Sequence, residues 1–213
     1  MDSAVEPPGR RERKKRQTRR SLRDNALRLF AEQGFERTTI AHITEAADVA
    51  PRTFFLHFAS KEDVLLADAQ ERGAAFEAAL AAQPADATPL EAVREALRAL
   101  MGSEDLDAEE LMLRARLMEE APSVLARNLE QYTAFEDLIS RDAAQRLGQD
   151  AYRDRYPALL GASVMTGLRV AISLWYRQGG TSDLTTYVDD VLDAIGSGLA
   201  LAPPTGFEPV LPP

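Results

Sequence analysis

The spacing of the apolar residues constrains the fold of this chain more than any other feature. From about residue 18 onward, apolar residues recur at intervals of three and four, and runs of alternating branched residues are absent. The pattern therefore predicts an all-α fold of about nine helices. These helices are expected over about 18–33, 39–47, 52–58, 60–82, 89–102, 107–120, 122–147, 157–178 and 184–201.

Local signals mark the ends of the first helices. Gly34 predicts the end of the first helix, since glycine readily takes the left-handed turn that closes a helix. Thr39 is typical of a residue that caps the next, short helix. Pro51 follows a brief interruption and begins a third segment, so two short helices joined by a tight turn follow a longer one. Ser60 and Asp63 have the spacing of a capping box, which predicts the start of a long fourth helix.

The charge of the chain is unevenly distributed. The formal net charge is −9, yet residues 1–63 carry 13 Lys and Arg against 10 Asp and Glu, a net of +3. The remaining 12 basic and 24 acidic residues leave the body strongly acidic. We call residues 1–63 the basic head and the remainder the acidic body. This arrangement of charge is expected where only the head contacts a polyanion. A disordered basic tail is the alternative explanation of the same charge pattern.

The composition also suggests how the chain divides. Residues 1–16 contain Pro7, Pro8 and Gly9 and then a basic run, and we expect a flexible basic arm there. Residues 17–63 are predicted to form a three-helix, helix-turn-helix DNA-binding domain. Residues 64–201 are predicted to form a larger helical domain, and 202–213 a proline-rich tail. The basic N-terminus lacks the apolar run of a secretory signal, so we expect a cytoplasmic, nucleoid-associated protein.

Several classes of function are disfavoured. The chain has no cysteine, so disulfides, thiolate zinc sites and thiol nucleophiles are excluded. Its only histidines, His42 and His57, lie in the basic head, and no glycine-rich phosphate loop is present. Asp189, Asp190 and Asp193 follow a helical surface and need no metal to explain them. We therefore expect neither an enzyme nor a cofactor.

The segment 157–178 is apolar on nearly every face, which predicts burial on all sides. Arg169 and Arg177 argue against a membrane span. Small residues would let a partner helix approach closely at Gly161, Ala162, Gly167 and Ala171. Together with the segment 184–201, this helix is predicted to form half of a four-helix bundle between two subunits. An ordinary core helix of a monomer is the alternative.

The short third helix has the pattern of a helix that reads DNA. Phe54 and Phe58, four residues apart, are predicted to pack inward, while Phe55 or Leu56 faces outward. Arg52 is able to make a bidentate contact to a guanine, and Thr53 to meet a thymine methyl group or a phosphate.

The ordered set of motifs over about residues 18–66 resembles the N-terminal domain of TetR-family repressors. The motifs are 29–35 (LFAEQGF), 38–40 (TTI), Ile43, 46–47 (AA), 53–55 (TFF) and 58–63 (FASKED). The resemblance implies a dimer formed mainly by the last two helices, a double-stranded DNA operator, and release from it when a small-molecule effector enters the C-terminal core. A helical adaptor or sensor without sequence-specific DNA binding is the alternative.

The resemblance also implies roles for individual residues. Thr39 and Lys61 match positions that bind phosphate, and His57 matches a position near the DNA backbone. Base contacts are implied at Pro51, Arg52 and Thr53. This chain departs from the family in having Phe55 where tyrosine is usual and Arg52 where glycine is usual, so Phe55 either packs against Pro51 or contacts the DNA without a hydroxyl.

The C-terminal part resembles regulators of the mycofactocin type over 111–148 and 157–179. The family places its ligand pocket among the helices of this part, which implies candidate lining residues at Phe76, Met101, Arg114, Met118, Tyr132, Phe135, Met165 and Trp175. Most of them are equally explained as plain core. Either Arg114 or Arg116 faces a ligand anion, or both pair on the surface with Glu119 or Glu120.

Overall fold

The computed structural model describes residues 9–102 and 108–198. Within them it contains helices and no strands, as the sequence predicts. The helices are α1 (Arg10–Gln33), α2 (Ile40–Ala46), α3 (Pro51–Phe55), α4 (Glu62–Leu65), α5 (Ala69–Ala81), α6 (Pro89–Met101), α7 (Ala108–Glu120), α8 (Pro122–Leu147), α9 (Arg155–Arg177) and α10 (Leu184–Gly196). The two helices α4 and α5 lie where the sequence predicts a single helix over 60–82. The described residues therefore form ten helices instead of the nine predicted, and this break accounts for the difference.

Helix α1 begins earlier than the sequence predicts. It starts at Arg10, so the part of the predicted flexible arm from residue 10 to residue 16 is helical and exposed. The prediction was wrong there because it relied on apolar periodicity, whereas Arg, Lys and Glu are good helix formers without any apolar face. Residues 1–8 of the predicted arm lie outside the described residues, as do 199–213, which include the predicted proline-rich tail.

The predicted helix ends are confirmed where local chemistry sets them. Gly34 has a positive φ of 86° directly after α1. Thr39 caps α2, its hydroxyl accepting a hydrogen bond from the backbone N–H of His42 at 3.2 Å. Ser60 and Asp63 bond reciprocally, at 3.0 and 3.3 Å, before α4.

A turn over 66–68 separates α4 from α5. The N–H groups of Leu66, Ala67 and Ala69 bond to carbonyls three residues back, the tighter spacing of a 3₁₀ turn. Arg19 of α1 donates to the carbonyl of Ala67 at 2.6 Å, which satisfies a group that a continuous helix would have used. A contact from a distant helix thus accompanies the break.

The described residues fall into two compact units. The first unit takes its residues from 1–73 and 104–131, and the second from 74–103 and 132–213. The core of the first unit contains Leu22, Ala26, Phe30, Ile43, Phe54, Val64 and Leu117, all buried. The core of the second contains Phe76, Val93, Ile139, Val164, Met165 and Leu192. The units therefore divide the chain differently from the predicted boundary at residue 63, since α7 belongs with the N-terminal helices.

Helix α9 packs closely against its neighbours in the second unit. A Cβ atom at Gly161 would lie 2.6 Å from the carbonyl oxygen of Glu136 in α8, and one at Gly167 would lie 2.4 Å from Val191 in α10. Ala171 is fully buried. Gly161 and Gly167 were predicted, together with Ala162 and Ala171, to admit a partner helix, and the structure corrects this for the two glycines, which admit helices of the same chain.

By length and composition, α9 alone among the described helices is apolar enough to cross a membrane. The core helix of a soluble protein passes the same test. Here the helix buries Leu160, Val164, Met165 and Trp175 against its own unit.

Candidate DNA-binding surface and ligand core

The turn between α2 and α3 fixes the angle at which the two short helices meet. Asp48 takes a left-handed conformation, with φ of 52°, and the N–H of Val49 bonds back to the carbonyl of Thr44 at 2.9 Å. Asp is one of the few residues other than glycine that tolerate this conformation. Pro51 then occupies the first turn of α3, where its missing N–H costs nothing.

Helix α3 is held from below by aromatic side chains. Phe54 is fully buried and Phe58 is 4% exposed, and their ring centroids lie 5.6 Å apart. Both pack in the cluster that contains Phe30 and Ile43, as the sequence predicts. Arg19 adds a guanidinium 4.8 Å from the centre of the Phe58 ring. The buried face leaves the other face of α3 free.

The free face carries the residues predicted to meet bases. Pro51 and Arg52 are exposed and Thr53 is half-buried. Phe55 is 59% exposed and Leu56 is 75% exposed, so both point outward.

His57 lies at the edge of this face, half-buried. Its pKa is lowered below the ordinary value, first by burial and then by the positive charges of Arg19 and Lys15. The ring is therefore neutral at pH 7, and its Nδ1 atom is buried without a hydrogen-bond partner.

Thr39 and Lys61 meet at the loop before α2. The Lys61 ammonium donates to the carbonyls of Phe35, at 2.9 Å, and Thr38, at 3.4 Å, and lies 4.1 Å from the centre of the Phe35 ring. Thr39, the next residue, is exposed at the start of α2. The two residues predicted to contact phosphate therefore lie at the same loop, which joins α1 to α2. Lys61 also stabilises this loop through its bonds to the two carbonyls.

The predicted ligand-lining residues are divided between the two units. Phe76 and Met165 are buried in the second unit, where Phe135 packs against Phe76 with ring centroids 5.6 Å apart. Tyr132 and Met101 pack against the same cluster. Trp175 is 3% exposed and donates from Nε1 to the carbonyl of Ser182 at 2.8 Å. These side chains form an aromatic and methionine-rich core.

The other two candidates belong to the first unit. Met118 packs at the edge of its core and its sulfur lies 3.0 Å from Nδ2 of Asn128. Arg114 pairs with Glu110 one turn earlier, and not with Glu119 or Glu120, the partners that the sequence suggested.

Arg116 takes a different position from Arg114. It reaches Glu120 only at 3.9 Å and donates to the carbonyl of Phe30 at 3.2 Å, so it caps the C-terminal end of α1. Each arginine thus finds a partner inside its own unit.

Two arginines that the sequence did not point to hold this unit together. Arg19 donates to the carbonyls of His57, at 3.0 Å, and Ala67, at 2.6 Å. Arg23 bonds to Glu110, which is 87 positions away in the chain. One signal was available, because Arg19 and Arg23 are spaced by one helical turn beside the buried Leu22 and Ala26.

Acidic residues of α10 are explained by arginines and not by a metal. Asp189 accepts hydrogen bonds from Arg94 at 3.0 Å and from Arg98 at 2.8 Å, and Asp193 pairs with Arg94. Among the residues that the structure describes, no group of three or more potential ligands is placed to hold a metal ion.

Comparison with known families identifies both halves of the sequence. Residues 22–67 match the model of the bacterial regulatory proteins of the tetR family. Residues 87–200 match the MftR C-terminal domain. The helix-turn-helix geometry of α2 and α3 lies within the first of these matches.

Curated relatives agree with the family models. The chain is 39% identical over 196 residues to the HTH-type transcriptional regulator TcmR of Streptomyces glaucescens, covering 88% of this chain and 87% of that one. It is 26% identical over 187 residues to MftR of Mycobacterium tuberculosis, named for the regulation of mycofactocin biosynthesis, covering 88% and 93%. These relatives are transcriptional regulators and not enzymes.

Solved structures share the fold. FadR of Thermus thermophilus, a TetR family repressor crystallised with lauroyl-CoA, is 23% identical with a TM-score of 0.62, and the match covers 92% of this chain and 99% of that one. SmeT, the repressor of the Stenotrophomonas maltophilia multidrug efflux pump SmeDEF, is 22% identical with a TM-score of 0.59, covering 91% and 97%. The helix-turn-helix of the first unit, the two family models and the TcmR relative lead to one conclusion: the chain belongs to the TetR family of DNA-binding bacterial transcriptional regulators.

Proposed function

We propose that this regulator binds a palindromic operator in the cytoplasm, associated with the nucleoid, as a homodimer, and that it represses transcription until a small-molecule effector releases it. The exposed face of α3 carries the proposal. Pro51, Arg52 and Thr53 meet bases in the major groove, while Thr39, His57 and Lys61 contact or position phosphates. Two such helices read half-sites roughly 34 Å apart, one turn of DNA.

Arg52 is the residue whose loss tests base reading. Its bidentate contact to a guanine contributes about 1 to 3 kcal/mol, which is about 5- to 150-fold in affinity. We would select genomic fragments with the purified protein and with Arg52→Ala, using Arg153→Ala as a control that removes an equal charge in the second unit. A short palindrome bound by the wild type and the control, and weakened in Arg52→Ala, supports the proposal. If no palindrome is enriched at any salt concentration, the adaptor function replaces it.

The basic first turns of α1 contribute a sequence-independent part of the affinity. Lys14 and Lys15 are exposed on this segment, and the charge of Lys15 reaches His57 at the reading face. Each phosphate contact adds about 0.9 to the slope of log affinity against log salt. Replacing both lysines with glutamine is expected to reduce that slope by about 2. An unchanged slope would show that this part of α1 does not touch DNA.

An exposed apolar stripe on α9 supports the dimer. Leu159, Val170 and Leu174 are 63%, 39% and 43% exposed, and Ala162 and Thr166 lie between them on the same face. Gly161, which approaches α8, lies on the opposite side of α9 from this stripe. The exposed positions of α10 are polar, so α9 supplies most of the apolar contact in a helix bundle shared by two subunits.

The dimer is tested by charge substitution. Leu159→Asp combined with Leu174→Asp is expected to convert the dimer to a monomer in sedimentation experiments and to abolish binding to the full palindrome. Leu147→Asp, at an apolar residue that is 42% exposed at the end of α8, is the control. A double variant that sediments as the wild type does would rule out this face.

The effector is proposed to act through the aromatic core of the second unit. Phe76, Met101, Tyr132, Phe135, Met165 and Trp175 supply an apolar lining that repacks easily, because methionine is flexible. A ligand that binds one conformation of this core more tightly than another lowers operator affinity by that difference. An apolar ligand found by screening should lose affinity in Phe135→Ala and keep it in Leu147→Ala.

A further inference from the structure

Three arginines from separate helices of the first unit converge on two carboxylates. The guanidinium cluster, as we call it, comprises Arg23 of α1, Arg72 of α5 and Arg114 of α7, together with Asp68 and Glu110. Arg23 contacts Asp68 at 2.7 Å and both carboxylate oxygens of Glu110 at 2.6 and 2.7 Å. Arg114 pairs with the same Glu110.

The cluster holds more positive than negative charge. Two carboxylates face three guanidinium groups, and Arg72 takes part in none of these ion pairs. Two other acidic residues act at its margin, but neither offsets the excess. Asp24 lies 3.6 Å from Arg23, yet its side chain is 55% exposed and also faces Arg20, and Glu71 is exposed.

Hydrogen-bond donors inside the cluster are left without acceptors. The Nε atoms of Arg23 and Arg114 are buried and have no hydrogen-bond partner. The side chains that carry them are only 19% and 17% exposed, so bulk water does not replace the missing acceptors. A buried donor without a partner is costly, and a charged guanidinium N–H forms a strong hydrogen bond to a carboxylate or phosphate oxygen.

The effect of the excess charge is visible on Arg114. Burial first, and then the neighbouring Arg72, lower the pKa of Arg114 to about 10, although Glu110 acts in the opposite direction. The pKa of Arg72 is lowered as well, with burial as the largest cause. Among the described residues, the cluster therefore brings together three guanidinium groups and two carboxylates.

We propose that the guanidinium cluster binds an oxyanion, the carboxylate or phosphate group of a small molecule, through the Nε donors of Arg23 and Arg114 and through Arg72. The bound group supplies the missing acceptors and the missing charge. It also ties α1 to α7 more firmly, because both helices contribute a donor. The evidence for the anion site comes from the cluster alone. Only the further step, that the bound anion belongs to the effector, rests on the proposed function.

Thermal unfolding of the full-length protein without DNA tests the site. We would compare pyrophosphate and citrate, as phosphate and carboxylate probes, with sodium chloride at equal ionic strength. At ten times its dissociation constant, a bound anion should raise the melting temperature by about 3 to 6 °C above the chloride reference. The probe that raises the melting temperature more at equal concentration shows which oxyanion the site prefers.

Variants assign the effect to the cluster. Arg72→Gln and Arg114→Gln are expected to abolish the anion-specific rise in melting temperature. Arg72→Lys keeps the positive charge but lacks the planar guanidinium, so the rise should be smaller than in the wild type. Arg28→Gln, at an exposed ion pair with Glu32 on the same helix α1, should leave the rise unchanged. Calorimetric titration of Arg72→Gln with pyrophosphate gives a readout that does not depend on unfolding.

Two results would overturn the proposal. One is a wild-type protein that responds to pyrophosphate and citrate no more than to chloride. The other is a rise that persists in Arg72→Gln and Arg114→Gln, which would place the anion on the exposed basic turns of α1. Since no DNA is present, failure of operator binding would not affect either readout.

Discussion

The same substitution, glycine to alanine, should have opposite effects at two helical positions of this protein. Gly73 lies in α5, and a Cβ there would meet nothing within 4 Å. Gly161 lies in α9, and a Cβ there would lie 2.6 Å from the carbonyl oxygen of Glu136 and 2.6 Å from Oγ of Ser140. Because the carbonyl belongs to the backbone of α8, it cannot swing aside as a flexible side chain would.

The magnitudes follow from the two environments. Alanine in place of a helical glycine gains about 0.5 to 1 kcal/mol, because the unfolded chain loses backbone freedom. At Gly73 nothing opposes this gain, so the melting temperature should rise by about 1 to 4 °C. At Gly161 the added methyl group overpacks the contact of α8 with α9, and because the obstacle is backbone the cost lies in the upper part of the range for overpacking, about 2 to 3 kcal/mol. The net loss of about 1 to 2.5 kcal/mol should lower the melting temperature by about 2 to 10 °C.

Circular dichroism at a fixed protein concentration measures both variants, since dissociation of a dimer would otherwise add a concentration dependence. Urea unfolding at 25 °C provides the free energies independently of temperature. A Gly161→Ala protein as stable as the wild type would refute the close approach of α8 and α9. A destabilised Gly73→Ala protein would show that α5 does not have the open surroundings described here.

Two further predictions concern the second unit. Trp175→Phe removes the hydrogen bond to Ser182 while keeping an aromatic ring in the core. The free energy of unfolding in urea should fall by about 1 kcal/mol, with unchanged secondary structure. A loss above about 3 kcal/mol would mean that the ring itself had been displaced. Asp189 has a lowered pKa because Arg98, and then Arg94, bond to its carboxylate. A lowered pKa in the folded state adds stability above the unfolded pKa, about 3.9, and this is lost as the pH falls through the folded pKa. Asp189→Asn should therefore lower the melting temperature at pH 7, and this difference should shrink as the pH falls below about 3.9; a difference that does not change with pH would exclude this linkage.

The family, the all-helical class and the helix ends could be predicted from the sequence because their causes are local. Apolar spacing indicates which residues share a face of a helix, and Thr39, Gly34 and the Ser60–Asp63 pair act on backbone groups within a few residues. The motif order around α2 and α3 was equally informative, because a tight turn and two short helices leave few alternatives for which residues lie inside.

Other features had no local cause and depended on the tertiary structure. The start of α1 at Arg10 was missed since a helix that is polar on all sides has no apolar period. The break between α4 and α5 accompanies a bond from Arg19 to Ala67, 48 positions apart. Which arginine meets which carboxylate is decided by helices that approach each other only after folding.

The small residues of α9 show the limit most clearly. The sequence indicated that Gly161 and Gly167 permit close helix contacts, and this was right, but it could not indicate whether the neighbour is another subunit or the same chain. That choice depends on which faces of α9 are covered by α8 and α10. Composition and period therefore determined that α9 is a helix with close neighbours, whereas only the tertiary structure decided that Leu159, Val170 and Leu174 are the residues left uncovered.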